Sequence, residues 1–161
     1  MTQNVDGLHQ QAGSSDVLAL HGNLQQDRWL RPCPQERFPE RDCEPATATD
    51  GHPPKCDVCG NMLRPGVVWF GEALPEIALF RADEAAGNCE LMLVIGTSGL
   101  VYPAAGLADV ARRAGARVVI INTAPTELDD LADCVLRRKA AECLPSLLQV
   151  ESQSVTMEEG A

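Results

Sequence analysis

Three groups of residues in this chain combine side-chain type and spacing in ways that could do chemistry. His21 follows a short apolar stretch, residues 17–20, and precedes Gly22 and Asn23, so it stands at the end of an element rather than on a core face. Imidazoles titrate near neutrality, and one so placed can serve as a general base; it can equally do no more than satisfy a local backbone group. His9 and His52 have less context still and receive no catalytic role. The second group is Gly96, Thr97, Ser98 and Gly99, directly after an apolar run. At the carboxyl end of a buried strand leading into a helix, backbone N–H groups and the two hydroxyls could hold a phosphate against the helix dipole, although a plain strand-to-helix turn can carry the same residues. Asn122 ends the next apolar run, 26 residues after Gly96, where a polar side chain can bond a ribose or close a turn. The third group is Cys56 and Cys59, two thiols in CDVCG with a glycine for the tight turn, which is half of a zinc ribbon. The candidates for a second pair are Cys33 and Cys43, whose spacing is not that of a usual knuckle.

These groups need elements to position them. Residues 90–96 form a continuous apolar run ending in glycine, which predicts a strand buried on both faces. Pro103 stands where a first helical residue belongs, and Leu107, Val110, Ala111 and Ala114 follow on one helical face. Gly115 stops that helix, and residues 117–121 form a second buried strand. Strand, helix and strand in about thirty residues make a βαβ unit, so the fold class is α/β with a parallel sheet. Residues 76–88, with Ile77, Leu79, Phe80 and Ala85 among charges, predict a flanking helix. Residues 133–137 predict a short edge strand and residues 141–150 a closing helix. Residues 25–55, rich in Pro, Arg, Glu and Asp and without periodicity, read as a loop-rich insert with no core of its own. Cys89, Cys134 and Cys143 lie in or beside apolar segments and are expected to be buried. The acidic residues 151–161 are expected to form a disordered tail.

Composition removes several functions. Thirteen Lys and Arg against 23 Asp and Glu leave a net charge of −10, which repels a phosphate backbone and argues against nucleic acid as a partner while leaving a basic peptide open. No apolar run approaches the length of a membrane span. The opening residues MTQNVDGLHQ have neither a basic nor an apolar leader region, so a cytoplasmic location is expected. Seven cysteines in that setting suggest metal ligation or burial rather than a disulfide framework. Two function classes remain: an enzyme that binds a nucleotide, and a small zinc-ribbon interaction module. The module accounts for the paired cysteines but not for a βαβ unit with its Gly-Thr-Ser turn.

Taken in order, TQNVDGLHQQAG, LALHGNL, CDVCGNMLRPGVVWFGEALP, VIGTSGLVYPAAGL and VVIINTAPT resemble the C-terminal two-thirds of a sirtuin. The WFGEAL and GTSGLVYPAAG segments are most similar to the branch containing bacterial and mitochondrial desuccinylases and deacetylases. The resemblance implies part of a Rossmann-like domain over residues 1–150, with residues 25–66 as a small zinc-ribbon-like insert. It implies an NAD-dependent protein-lysine deacylase that transfers the acyl group to ADP-ribose and releases nicotinamide. On the same basis Gln3, Asn4 and Asp6 line the nicotinamide and its ribose, and His21 is the base acting on a ribose hydroxyl. Gly96, Thr97 and Ser98 contact the phosphate and ribose region, and Asn122 with Thr123 the adenosine ribose. Val68, Phe70, Gly71 and Glu72, with Val101, form the groove where an acyl-lysine peptide adds as a strand.

Two departures from the family pattern carry expectations of their own. The family's glycine-rich first βα turn and its cofactor-binding loop have no counterpart here, which implies a fragment, a mis-started reading frame, or an inactive remnant that at most binds peptide. Trp29 and Pro32 stand about where the family's first zinc-binding cysteines belong, with Cys33 one place off. Either Cys33 and Cys43 complete an altered structural zinc site with Cys56 and Cys59, or the zinc has been lost.

Overall fold

A computed structural model describes residues 1–31, 51–56 and 58–148. In chain order the elements are α1 (Leu8–Gln11), β1 (Gly22–Trp29), β2 (Leu63–Val67), α2 (Glu76–Gly87) and β3 (Leu91–Ile95). A 3₁₀ turn (Ala104–Gly106) leads into α3 (Leu107–Arg113), followed by β4 (Arg117–Ile121), β5 (Cys134–Leu136) and α4 (Ala140–Leu147). The chain divides into two units, Met1–Arg81 and Ala82–Ala161, with α2 running across the division.

In the first unit β1 and β2 form an antiparallel ribbon from Gly22 opposite Val67 to Trp29 opposite Leu63. The register slips between Asn23 and Asp27, so residues 24–26 bulge from the ladder. Gly22 is the residue that lets the ribbon close: its φ is 81°, and a Cβ there would meet the Gly66 carbonyl oxygen at 2.0 Å. The first residues of the chain run beside those leading into β1. Thr2 donates its N–H to Leu18 O at 2.8 Å and accepts from Leu20 N–H at 3.0 Å, while Leu24 N–H reaches Val5 O at 2.8 Å. Leu20 is fully buried beneath this seam.

The insert expected to be loop-rich over residues 25–55 opens with strand, because residues 25–29 continue β1. Residues 24–28 are exposed, and a solvated ribbon needs no apolar alternation, which is why periodicity missed the strand. Residues 32–50, most of the rest of that insert, lie outside the described residues, as does the expected tail at 151–161.

The second unit is the predicted parallel sheet, in the order β3-β4-β5. Central β4 carries the core: Val118, Ile120 and Ile121 are essentially inaccessible. α3 packs on β3 and β4 and buries Leu107, Ala108 and Ala111, with Ala104 and Ala105 of the turn before it. Three expectations are corrected here. Strand β3 is covered on one face: Met92 is buried, whereas Leu91, Leu93 and Ile95 are 52, 36 and 40% exposed. An unbroken apolar run reports that a strand can be covered on both faces, not that both covers are present. Pro103 precedes a 3₁₀ turn instead of opening α3, which starts at Leu107, and Ala114 lies exposed at its end. Of the three cysteines expected inside, Cys143 is buried, Cys89 is half-buried and Cys134 is exposed on a three-residue edge strand too short to be covered.

α2 matches its predicted span, but its buried residues are Ala82 and Ala86, an i, i+4 pair, while Ile77 and Phe80 face solvent. No helix among the described residues is long and apolar enough to cross a membrane.

Candidate active site

In the first unit, the seam between residues 2–5 and 18–24 sets His21 beside Gln3. The His21 Nδ1 lies 3.1 Å from the Gln3 carbonyl oxygen. A carbonyl can only accept, so Nδ1 carries the proton, and the neutral ring keeps its lone pair on Nε2. A half-buried imidazole with its tautomer fixed in this way is equipped to take a proton at Nε2. The next two predicted residues follow along the same segment. Asn4 N–H bonds the Thr2 hydroxyl at 3.1 Å, and the Asp6 carboxylate accepts Leu8 N–H at 3.0 Å, tying down the start of α1. Gln3, Asn4 and Asp6 are therefore held on one short strand-like segment that runs alongside His21.

The predicted peptide-binding residues 68–72 continue from β2. Val68 donates its N–H to the carbonyl oxygen of His21 at 2.9 Å, so this segment and the histidine belong to one hydrogen-bonded frame. Phe70 is fully exposed and Trp69 largely so, and Gly71 turns the chain at φ 87°. The carboxylate of Glu72 is taken up by the chain itself. Oε1 accepts from Arg64 at 2.5 Å, and Oε2 accepts from Arg28 at 2.8 Å and from Trp69 N–H at 3.0 Å. The Arg64 hydrogen bond, then the Trp69 N–H, with the charges of Arg64 and Arg28 adding, hold the Glu72 carboxyl down to about 2. Arg64 and Arg28 were not singled out from the sequence. Nothing in periodicity marks them; the signal is the pair of arginines eight and 44 residues from one carboxylate, which only the ribbon brings together.

In the second unit the remaining predicted residues gather at the carboxyl ends of neighbouring strands β3 and β4. Asn122 donates from Nδ2 to Thr97 O at 2.8 Å, which ties the two strand ends together and leaves Oδ1 as an acceptor. Thr123 follows it, exposed. Three backbone N–H groups of this turn are used within the chain. Gly96 N–H is used by Ile121 O at 3.0 Å, and the Gly99 and Leu100 amides bond the Thr97 and Ser98 hydroxyl oxygens at 3.3 and 3.4 Å. The first helical residue, Leu107, comes eight positions after Gly99. The turn also leaves open space: a Cβ built on Gly96, whose φ is 64°, meets nothing within 4 Å. Val101 is exposed and belongs to this unit, whereas residues 68–72 belong to the first.

Cys56 and Cys59 sit on a tight turn of the first unit. Gly60 N–H returns to Cys56 O at 2.8 Å, Cys56 N–H bonds Asn61 O at 2.7 Å, and Gly60 takes φ 68°. The Cys56 thiol is buried and Cys59 is exposed. Among the described residues no group of three or more His, Cys, Asp or Glu side chains converges for a metal ion, and Cys33 and Cys43 lie outside them.

Comparison with known proteins bears on this arrangement. The Sir2 family model matches residues 1–103. An NAD-dependent protein deacylase of Ralstonia nicotianae is 55% identical over 148 residues, 92% of this chain and 57% of that protein. An NAD-dependent protein deacylase of Aquifex aeolicus is 48% identical over 141 residues, 88% of this chain and 56% of its own length. Among solved structures, a Sir2 homolog–NAD complex superposes with a TM-score of 0.78 at 40% identity, covering 91% of this chain and 55% of that one. A Sir2–p53 peptide–NAD⁺ complex gives 0.75 at 33% identity, covering 91% and 60%. The chain thus spans a little over half the length of the relatives it matches. With its parallel sheet, its His21 seam and the family model agreeing over well over half of its residues, this chain belongs to the Sir2 family.

Proposed function

We propose that this chain carries part of the machinery of an NAD-dependent protein-lysine deacylase acting on acyl-lysine proteins or peptides. The observation that carries the reading is the pairing of His21 with Gln3: a backbone carbonyl fixes the Nδ1–H tautomer and leaves Nε2 basic. NAD, when bound, supplies a ribose carbon from which nicotinamide departs and a hydroxyl that receives the acyl group. This chain's part is to hold and deprotonate. His21 takes the proton of a ribose hydroxyl at Nε2, while Gln3, Asn4 and Asp6 line the nicotinamide ribose. Thr97 and Ser98 contact phosphate or ribose oxygens beside Gly96, where no Cβ intrudes. Asn122 accepts from the adenosine ribose at Oδ1, and Thr123 assists it. Val68, Phe70 and Gly71, with the backbone of Glu72, receive the peptide as an added strand, and Val101 contacts the same substrate.

Relatives bearing the deacylase name and solved Sir2 complexes with acetylated and propionylated peptides support this reading. It is tested by deacylation of an acyl-lysine peptide with NAD, following nicotinamide release and acyl transfer separately. Unchanged deacylation by His21→Ala would refute the assignment of the base.

Two finer points belong to the same reading. Either Cys56 and Cys59 form half of an altered structural zinc site, with Cys33 and Cys43 as candidates for the other half, or the zinc has been lost. A cytoplasmic location is supported by Cys89, Cys134 and Cys143, three free thiols that suit a reducing compartment.

A further inference from the structure

Residues 68–72 leave β2 as a short loop with two large exposed aromatic rings, and such a loop has little apolar burial to hold its backbone in one shape. Its order comes from one buried arginine. The Arg64 side chain is 5% exposed and is bonded on three sides. Nη1 donates to Glu72 at 2.5 Å, Nη2 donates to Val67 O at 2.7 Å, and the guanidinium lies over the Trp69 ring with its carbon 3.3 Å from the centroid. Its Nε is buried without a partner, so the group pays desolvation that those contacts must offset.

Arg64 also stands directly opposite Arg28 in the β1–β2 register. Like charges facing each other across a ribbon are destabilising. The Glu72 carboxylate lies between them, one oxygen on each, and so converts a repulsive pair into a bridged triad. The same carboxylate takes Trp69 N–H while Glu72 N–H returns to Trp69 O at 3.0 Å, which closes the loop on itself.

We propose that Arg64, Glu72 and Arg28 are positioning residues that buckle the loop 68–72 to the ribbon and so fix the backbone edge on which an acyl-lysine peptide adds as a strand. The inference rests on the deacylase reading for the identity of the ligand. The Glu72 side chain acts through the loop and does not touch the peptide. An edge that is already ordered costs a peptide less entropy on binding. Arginine is required at position 64 because a lysine cannot bridge a carboxylate and a carbonyl while stacking on an indole.

The test uses the full chain with Trp29→Phe, so that Trp69 is the sole indole reporter. Four readouts are taken on Glu72→Gln, Arg64→Lys and the exposed Arg28→Gln: amide hydrogen exchange at Trp69 and Glu72, Trp69 fluorescence, affinity for an acetyl-lysine peptide, and affinity for NAD. Glu72→Gln and Arg64→Lys should speed exchange at both amides and weaken peptide binding by about tenfold, the loss of one charge-assisted hydrogen bond. Arg28→Gln, which removes one outer arm and threatens folding least, should show a smaller shift in the same direction. NAD affinity should stay within about twofold in all three, since the groups bind no cofactor. Weakened peptide binding with unchanged exchange would mean that Glu72 contacts the peptide directly, and the proposal falls. Faster exchange with unchanged peptide affinity overturns it as well, because loop order would then be irrelevant to binding. Absence of acetyl-lysine peptide binding by the unsubstituted chain refutes the deacylase reading itself, and the exchange data on the variants still report whether the buckle exists.

Discussion

The amide of Val68 donates to the carbonyl oxygen of His21 at 2.9 Å, while the ring of the same histidine is bonded through Nδ1 to the carbonyl of Gln3. One residue therefore offers its backbone to the segment assigned to the peptide and its side chain to the segment assigned to the nicotinamide ribose. Both partners are backbone groups, so the arrangement does not depend on neighbouring side chains.

This division makes His21→Ala a clean experiment. The carbonyl remains, so the Val68 hydrogen bond and peptide binding should persist. Loss of the base should lower the rate of acyl transfer by about 10²–10⁴-fold. Comparing peptide affinity with deacylation rate separates the two roles, and a fall in both together would show that the substitution disturbs the frame rather than the chemistry.

Acid should loosen the first unit through Glu72. Its carboxyl is lowered from 4.5 to about 2, chiefly by the Arg64 hydrogen bond. A depressed folded-state pKa contributes stability that is fully present above the unfolded value and is lost as pH falls through the folded one. The contribution should therefore be complete above about pH 4.5 and fade towards pH 2. Asp133, lowered by Val118 N–H and Arg112, and Asp129, lowered by the Thr126 hydroxyl with help from Arg137, act in the same sense in the second unit. In Glu72→Gln the Trp69 signal should change less between those two pH values than it does in the unsubstituted chain; an identical acid transition would contradict the assignment.

Gly22→Ala should open the ribbon. A positive φ alone costs a non-glycine residue about 1–3 kcal/mol, and the added Cβ would sit 2.0 Å from the Gly66 carbonyl oxygen, a backbone atom that cannot swing aside. Urea unfolding should show a lower midpoint, with His21 and Val68 losing their mutual bond first. Gly71→Ala, where a Cβ meets nothing within 4 Å, should cost less.

Metal content decides the cysteine turn. One zinc per chain, lost in Cys59→Ala, would establish an altered site that draws further ligands from outside the described residues. A metal-free protein whose stability is unaffected by chelators would retire that part of the reading and leave Cys56 as a buried thiol.

How much of this was legible beforehand follows from the range over which each feature is encoded. The sequence by itself determined the βαβ unit, the span of β4 at Arg117–Ile121 and the approximate limits of α2, because burial writes a local period into neighbouring residues. Its ordered motifs also carried the family, since they need only be read along the chain. Tertiary structure alone decided which face of β3 is covered, because an apolar run is the same whether one cover or two are present. It decided that residues 25–29 are strand, since a solvated ribbon is held by its partner at residues 63–67 and not by its own pattern. It set the His21 tautomer through a carbonyl 18 residues away, and it gave Glu72 to Arg28 across 44 residues. Hydrogen bonds between distant segments leave no period in either one, so they come into being only when the chain closes on itself.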